Sequence, residues 1–92
     1  MQTFVIMRRS AWANADELGA AAAKSTEVGN EMSADIRWIR SYVLAEPDGR
    51  LGTTCIYQAT SEEKVREHAQ RASLACDDVI PVGDVVKVRE DP

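Results

Sequence analysis

Cys55 and His68 are the residues best equipped for chemistry, and thirteen positions separate them. A thiolate and a neutral imidazole are both ligands that divalent transition ions select. An imidazole is also the usual general acid or base near neutral pH. The strand that carries Cys55 runs on for about 10 Å, at ~3.3 Å per residue. The helix that follows needs about 12 Å to reach His68, at ~1.5 Å per residue. A chain that folds back here brings the two side chains level. His68 falls on the shoulder of the stripe Val65, Ala69 and Ala72 and leans toward the sheet. Cys55 and Tyr57 alternate with Ile56 and Gln58, and either pair can be the inner one. The competing reading is a half-buried histidine bonded to a neighbour, beside a core thiol.

Trp38, Tyr42 and Tyr57 form a second group, aromatics with polar tips on two adjacent strands. Such side chains suit a small-ligand or cofactor site and serve equally as filling for an interface. Glu27/Glu31 and Glu63/Glu67 are paired carboxylates at i,i+4, and Asp77–Asp78 are adjacent. Lys64 and Arg66 interleave with the second pair, as on a solvated helix face. Arg8–Arg9 close the first apolar run and read as a soluble strand end, or else as a receiver for a carboxylate or phosphate. Trp12 reads as a hydrophobic staple ahead of a helix cap. There is no Gly-rich phosphate loop, nucleophile elbow or HExxH, and one histidine cannot build a multi-histidine cage within one chain.

The totals narrow the class. Ninety-two residues make one domain, 1–92, with 89–92 expected as a tail. Eleven basic against fifteen acidic residues give a net charge of −4, which disfavours a nucleic-acid partner. No run approaches the ~20 apolar residues of a membrane span. The N-terminal charges follow the apolar run, the reverse of a signal peptide. These features predict a cytoplasmic protein. Its two cysteines, twenty-one apart, are then expected as thiols.

The elements that must position these residues follow from pattern. "QTFVIM" predicts a strand. Asn14 with Glu17 three residues on starts a helix whose stripe is Leu18, Ala21, Ala22, Ser25, Val28 and Met32. "DIRWIRSYVL" predicts a second strand, Pro47-Asp48-Gly49 a reversal, and "TTCIYQA" a third strand paired to the second. Thr60, with Glu63, is the expected cap of a second helix, and "VIPVGDVVKV" a fourth strand. The order β-α-β-β-α-β predicts a ferredoxin-like α+β sandwich, a four-stranded antiparallel sheet with both helices on one face. Regular alternation puts Trp38 and Tyr42 on one face of the second strand and Ile39 and Val43 on the other. The face left open is too apolar for water, so a sheet-to-sheet homodimer is expected.

"WIRSYV", "CIYQA", "VREHAQRASL" and "DVIPV" together resemble a small bacterial domain family, once of unknown function, named after a nickel-binding member. Its sequences read W-x-x-S-Y, C-x-Y-x-A and R-E-H-A before a valine-rich strand. Trp38, Ser41, Tyr42, Cys55, Tyr57 and His68 occupy the matching positions. Ser73 stands where the family commonly has glycine, Ala75 where it has proline, and the "EPDGRLG" hairpin looks long. The resemblance implies a dimeric ferredoxin-like fold and binding of nickel or another divalent transition metal, for storage or buffering. On that reading His68 is the first candidate metal ligand, with Cys55 and the carboxylates as helpers; Trp38, Tyr42 and Tyr57 are the candidate cofactor-binding residues of a small-ligand site. Two alternatives stand beside it. One is an enzyme acting on a small organic molecule in a cavity between sheet and helices or between subunits. The other is a regulatory or interaction module without chemistry.

Overall fold

The computed structural model describes residues 1–90, in the order β1 (Gln2–Trp12), α1 (Ala15–Glu31), β2 (Ile36–Ala45), β3 (Leu51–Ala59), α2 (Glu62–Arg71) and β4 (Asp78–Pro81). The strands form one antiparallel sheet in the order β2-β3-β1-β4. This is the predicted α+β ferredoxin-like arrangement. Among the described residues no helix is long and apolar enough to cross a membrane.

β3 alternates with period two and decides which face is covered. Thr53, Cys55, Tyr57 and Ala59 are buried, whereas Thr54, Ile56 and Gln58 are half-buried. The pair left open by sequence is therefore resolved, with Cys55 and Tyr57 inside. Phe4 and Ile6 on β1 join them, and Val28 and Val65 from the helices, with Met32 and Ala72 at the helix C-caps, close the core. Each of the larger apolar side chains, Phe4, Ile6, Val28, Met32 and Val65, stabilises the fold by about 1.5–3 kcal/mol when fully buried.

The caps follow the expected chemistry with one displacement. The Asn14 side chain accepts from Glu17 N at 3.0 Å, while Glu17 Oε1 accepts from Ala13 N. α2 is capped by Ser61, which accepts from Lys64 N, not by the expected Thr60. Thr60 is drawn away because its hydroxyl donates to Asp35 Oδ1 at 3.1 Å. The hairpin at Pro47-Asp48-Gly49 forms as predicted, with Gly49 at φ +83° and its N–H donating to the Glu46 carbonyl.

Two irregularities re-aim side chains. In β2, Trp38 pairs with Tyr57 but Arg40 pairs with Ile56, so Ile39 is an extra residue. The bulge breaks the expected alternation: Trp38 and Ser41 face the helices, while Tyr42, opposite Thr54, faces the other side. Regular pleating had placed Trp38 and Tyr42 together, and one inserted residue separates them. In β1, Arg8 pairs with Thr53 but Trp12 with Leu51, so β1 carries two residues more than β3 across this stretch. Ser10 takes φ +47° there. The Glu46 carboxylate holds the distortion, accepting from Ser10 N at 2.8 Å and from Arg9 Nε at 2.8 Å.

Strand boundaries also differ from expectation. β1 does not stop before Arg8 but continues to Trp12, because Arg8 keeps the inner alternation of Phe4 and Ile6. β4 ends at Pro81 instead of running through Val88. Pro81 has no N–H for a further ladder, and Val85, Val86 and Val88 are exposed. Of the expected tail, Asp91 and Pro92 lie outside the described residues.

Candidate functional site

A cavity of about 470 Å³ lies between α1 and the inner face of β2, β3 and β1. Its floor is Arg8, Thr53, Cys55 and Tyr57, three of them on consecutive inner positions of β3. Leu18, Ala21 and Ala22 of α1 form an apolar roof. The two bulges supply the walls, since they bring Trp38 and Ser41 from β2 and Trp12 from β1 to the cavity. Trp12, read from sequence as a staple, is thus a cavity wall.

Tyr57 is the hub. Its ring stacks parallel to Trp38, with centroids 6.0 Å apart and planes 2° from parallel. On another side it meets the His68 ring at 5.4 Å, tilted by 57°. Its hydroxyl lies 3.0 Å from Ser25 Oγ. Burial is the main cause that pushes the phenol above its ordinary pKa, and the Ser25 hydroxyl and the Arg8 charge oppose it in part.

Cys55 belongs to a relay of weak and ordinary hydrogen bonds. Trp38 Nε1 donates to Ser41 Oγ at 2.8 Å, Ser41 donates to Cys55 Sγ at 3.0 Å, and the thiol donates to Thr53 Oγ1 at 3.2 Å. The relay fixes the indole at the edge of the cavity, where Trp38 stays 39% exposed.

His68 is buried but does not line the cavity. Its Nε2 lies 3.0 Å from the Ser25 carbonyl. A carbonyl only accepts, so Nε2 carries a proton. Burial lowers its pKa first, and the charges of Arg8 and Arg71 lower it further, against the opposing effect of the Ser25 bond. His68 and Cys55 thus share the covered side of the sheet, as their level suggested. Tyr57 is the group that touches His68, while Cys55 bonds to hydroxyls. No grouping of three or more His, Cys, Asp or Glu side chains that could hold a metal occurs among the described residues. Cys55 and Cys76 are both free thiols. Tyr42 lies on the opposite face, so only Trp38 and Tyr57 of the three aromatics meet at the cavity.

Arg8 is the residue that sequence reasoning missed. It reads as a soluble strand end, yet it is 1% exposed. Its guanidinium carbon lies 5.8 Å from the Tyr57 ring centroid. Nε, Nη1 and Nη2 have no hydrogen-bond partner among the described residues. The signal was present in the period: Phe4, Ile6 and Arg8 share one face if the strand is not ended at Met7.

Comparison with known proteins agrees with this fold. The crystal structure of SCO4226 from Streptomyces coelicolor A3(2) is similar, with a TM-score of 0.71 and 20% sequence identity, over 91% of this chain and 99% of that one. Among curated proteins none matches significantly. The family described as nickel responsive protein SCO4226-like matches residues 4–82, which take in both helices, three whole strands, β1 from Phe4 onward and every residue of the cavity floor. The chain belongs to this SCO4226-like family of nickel responsive proteins.

Proposed function

We propose that this protein is a cytoplasmic, non-catalytic binding protein whose working site is the cavity over Tyr57, and that its ligand is a small organic molecule. The cavity itself carries the reading. Its volume of about 470 Å³ falls within the roughly 300–1,000 Å³ usual for small-ligand sites. Aromatic and aliphatic walls with a few converging polar groups are the usual make-up of such sites. The neutral fluorophore N-phenyl-1-naphthylamine tests it. Saturable fluorescence enhancement is expected, together with its loss in Ala22→Phe, which fills the roof. Absence of saturable uptake by the parent protein overturns the reading.

Nickel storage or buffering by a homodimer is the second reading, favoured by the family's description. One further observation supports it, that burial disfavours the protonated ring of His68, and the neutral ring is the form that ligates metals. The donors of one chain do not fit a resident ion, however. His68 Nε2 is engaged by Ser25, the Cys55 thiol by two hydroxyls, and the Arg8 cation is on the same cavity floor as Cys55. Nickel held by His68 and Cys55 would need further donors from a second copy. The open sheet face, where Tyr42 and Ile80 are 43% and 51% exposed, offers a place for a second copy, but it lies across the sheet from His68 and Cys55. Equilibrium dialysis against nickel and zinc, with the parent and His68→Ala, separates this reading from the first. Light scattering on the parent and Ile80→Glu reads the dimer.

A further inference from the structure

We infer that the cavity is selective for a small organic acid whose carboxylate is held by the Arg8 guanidinium. The inference rests on the cavity being the working site and names the class of its ligand. Arg8 differs from the other arginines with visible partners. Arg9 bonds to Glu46, Arg37 to Gln58, Arg50 to the Ser10 carbonyl, Arg66 to Glu62 and Arg71 to Glu31. Arg8 alone of these six is buried, and no protein acceptor among the described residues meets any of its three side-chain nitrogens. The Tyr57 ring satisfies only the face of the guanidinium, not its N–H fork.

A buried cation is retained when something of opposite charge completes it. No Asp or Glu of the described residues lines the cavity. Arg40 also borders it, but its guanidinium reaches the Tyr42 hydroxyl on the other face of the sheet. The floor therefore presents one uncompensated positive charge, which a monoanion balances and a dianionic phosphate overfills. The planar fork of Arg8 matches a carboxylate with two parallel N–H···O bonds. The Thr53 hydroxyl lies beside it as a further polar group.

The remaining walls describe the rest of the ligand. Trp38, stacked on the buried Tyr57, offers an aromatic surface at the cavity wall, and Leu18 with Ala21 closes the apolar roof. A planar aromatic or unsaturated body fits these surfaces, while a polar body would be left without partners on the roof. The ligand class is a monocarboxylic acid with a flat apolar body.

Displacement of N-phenyl-1-naphthylamine by trans-cinnamate, its neutral amide and inorganic phosphate tests the inference. The acid should displace the probe at concentrations at least about tenfold lower than the amide needs, a clear preference on the usual free-energy scale. Phosphate should not compete at those concentrations. In Arg8→Gln the acid should lose its advantage over the amide while the probe still binds. Should that variant fail to fold, the Arg8 Nε–H resonance of the parent protein supplies an independent readout. It should shift downfield and exchange slowly with cinnamate and stay unmoved with the amide. Equal binding of acid and amide, or an unmoved Arg8 signal at cinnamate saturation, overturns the carboxylate assignment while the cavity reading stands. Competition by phosphate as strong as that by cinnamate also overturns it. Failure of the probe itself to bind removes the cavity reading and this inference together.

Discussion

The imidazole of His68 donates to the carbonyl of Ser25 at 3.0 Å, and so ties α2 to α1 across the edge of the cavity. The same serine meets the Tyr57 hydroxyl through its side chain. The bond requires a proton on Nε2, and burial, with Arg8 and Arg71, holds the folded-state pKa below its ordinary value near 6.5 although the Ser25 bond opposes the shift. The unfolded chain takes up the proton first as pH falls. Stability from this group is therefore full above pH ~6.5 and is lost as pH drops from there toward the folded-state pKa. Urea midpoints measured from pH 8 to pH 5 should be level down to about 6.5 and then decline. His68→Gln should flatten that decline, and should be less stable at pH 8 by about 1 kcal/mol, the net worth of one such bond. An unchanged pH profile in the variant would remove His68 as the titrating group.

Ser73 closes α2 in the left-handed region at φ +57°. Its N–H donates to the Gln70 carbonyl and the Leu74 N–H to the Ala69 carbonyl, the paired bonds of a Schellman cap. Glycine takes this conformation without the Cβ clash that serine bears. The departure from the family's common glycine thus falls at the one position of the helix exit where it strains the backbone. Ser73→Gly should raise stability by about 0.5–1 kcal/mol in urea unfolding, less the added chain entropy of glycine. A loss of stability would show that the serine side chain contributes more than its backbone strain costs.

Gly52 sits where β3 passes the distorted end of β1. A Cβ there would lie 2.6 Å from the Arg8 carbonyl oxygen, 2.9 Å from Glu46 Oε2 and 3.1 Å from Ser10 N. The nearest contact is backbone and cannot swing aside. Gly52→Ala should cost about 1–3 kcal/mol, as overpacking does. It should also move Trp12, which the β1 distortion carries to the cavity. Thermal unfolding reads the first effect, and the tryptophan emission maximum in the folded state reads the second. A variant as stable as the parent with an unmoved spectrum would show that β1 relaxes without disturbing the wall.

The fold was legible because it depends on period and punctuation. Asn14, Pro47-Asp48-Gly49 and the stripe from Leu18 to Met32 act locally, and their consequences appear in the sequence. The site was legible only in part. Tyr57 and Trp38 were visible as aromatics on paired strands, but the extra residue Ile39, which sends Tyr42 to the other face, leaves no mark in composition or alternation. Arg8 was obscured for a different reason. A paired arginine at the end of an apolar run is ordinarily solvated, and only the strand's continuation to Trp12 places one of the two inside. The shift of the α2 cap from Thr60 to Ser61 needed Asp35, which is distant in sequence, to draw the threonine away.

Tyr57 supplies the last prediction, at alkaline pH. Burial first, and the Cys55 thiol second, raise its pKa above the ordinary value near 10, and the Ser25 bond and the Arg8 cation restrain the rise. A folded-state pKa above the unfolded one means that stability is full below pH ~10 and falls as pH rises toward the folded value, because the unfolded chain ionises first. Ultraviolet titration of the folded Tyr42→Phe variant isolates this phenol, since the chain has two tyrosines. Its midpoint should lie above that of free tyrosine. Tyr57→Phe should keep the stack on Trp38 but leave the Ser25 hydroxyl without its partner. That loss should cost about 1–2 kcal/mol at pH 8, within the range for an unsatisfied buried group. If the midpoint in Tyr42→Phe equals that of free tyrosine, the phenol is wet, and the cavity floor is open to solvent around Tyr57.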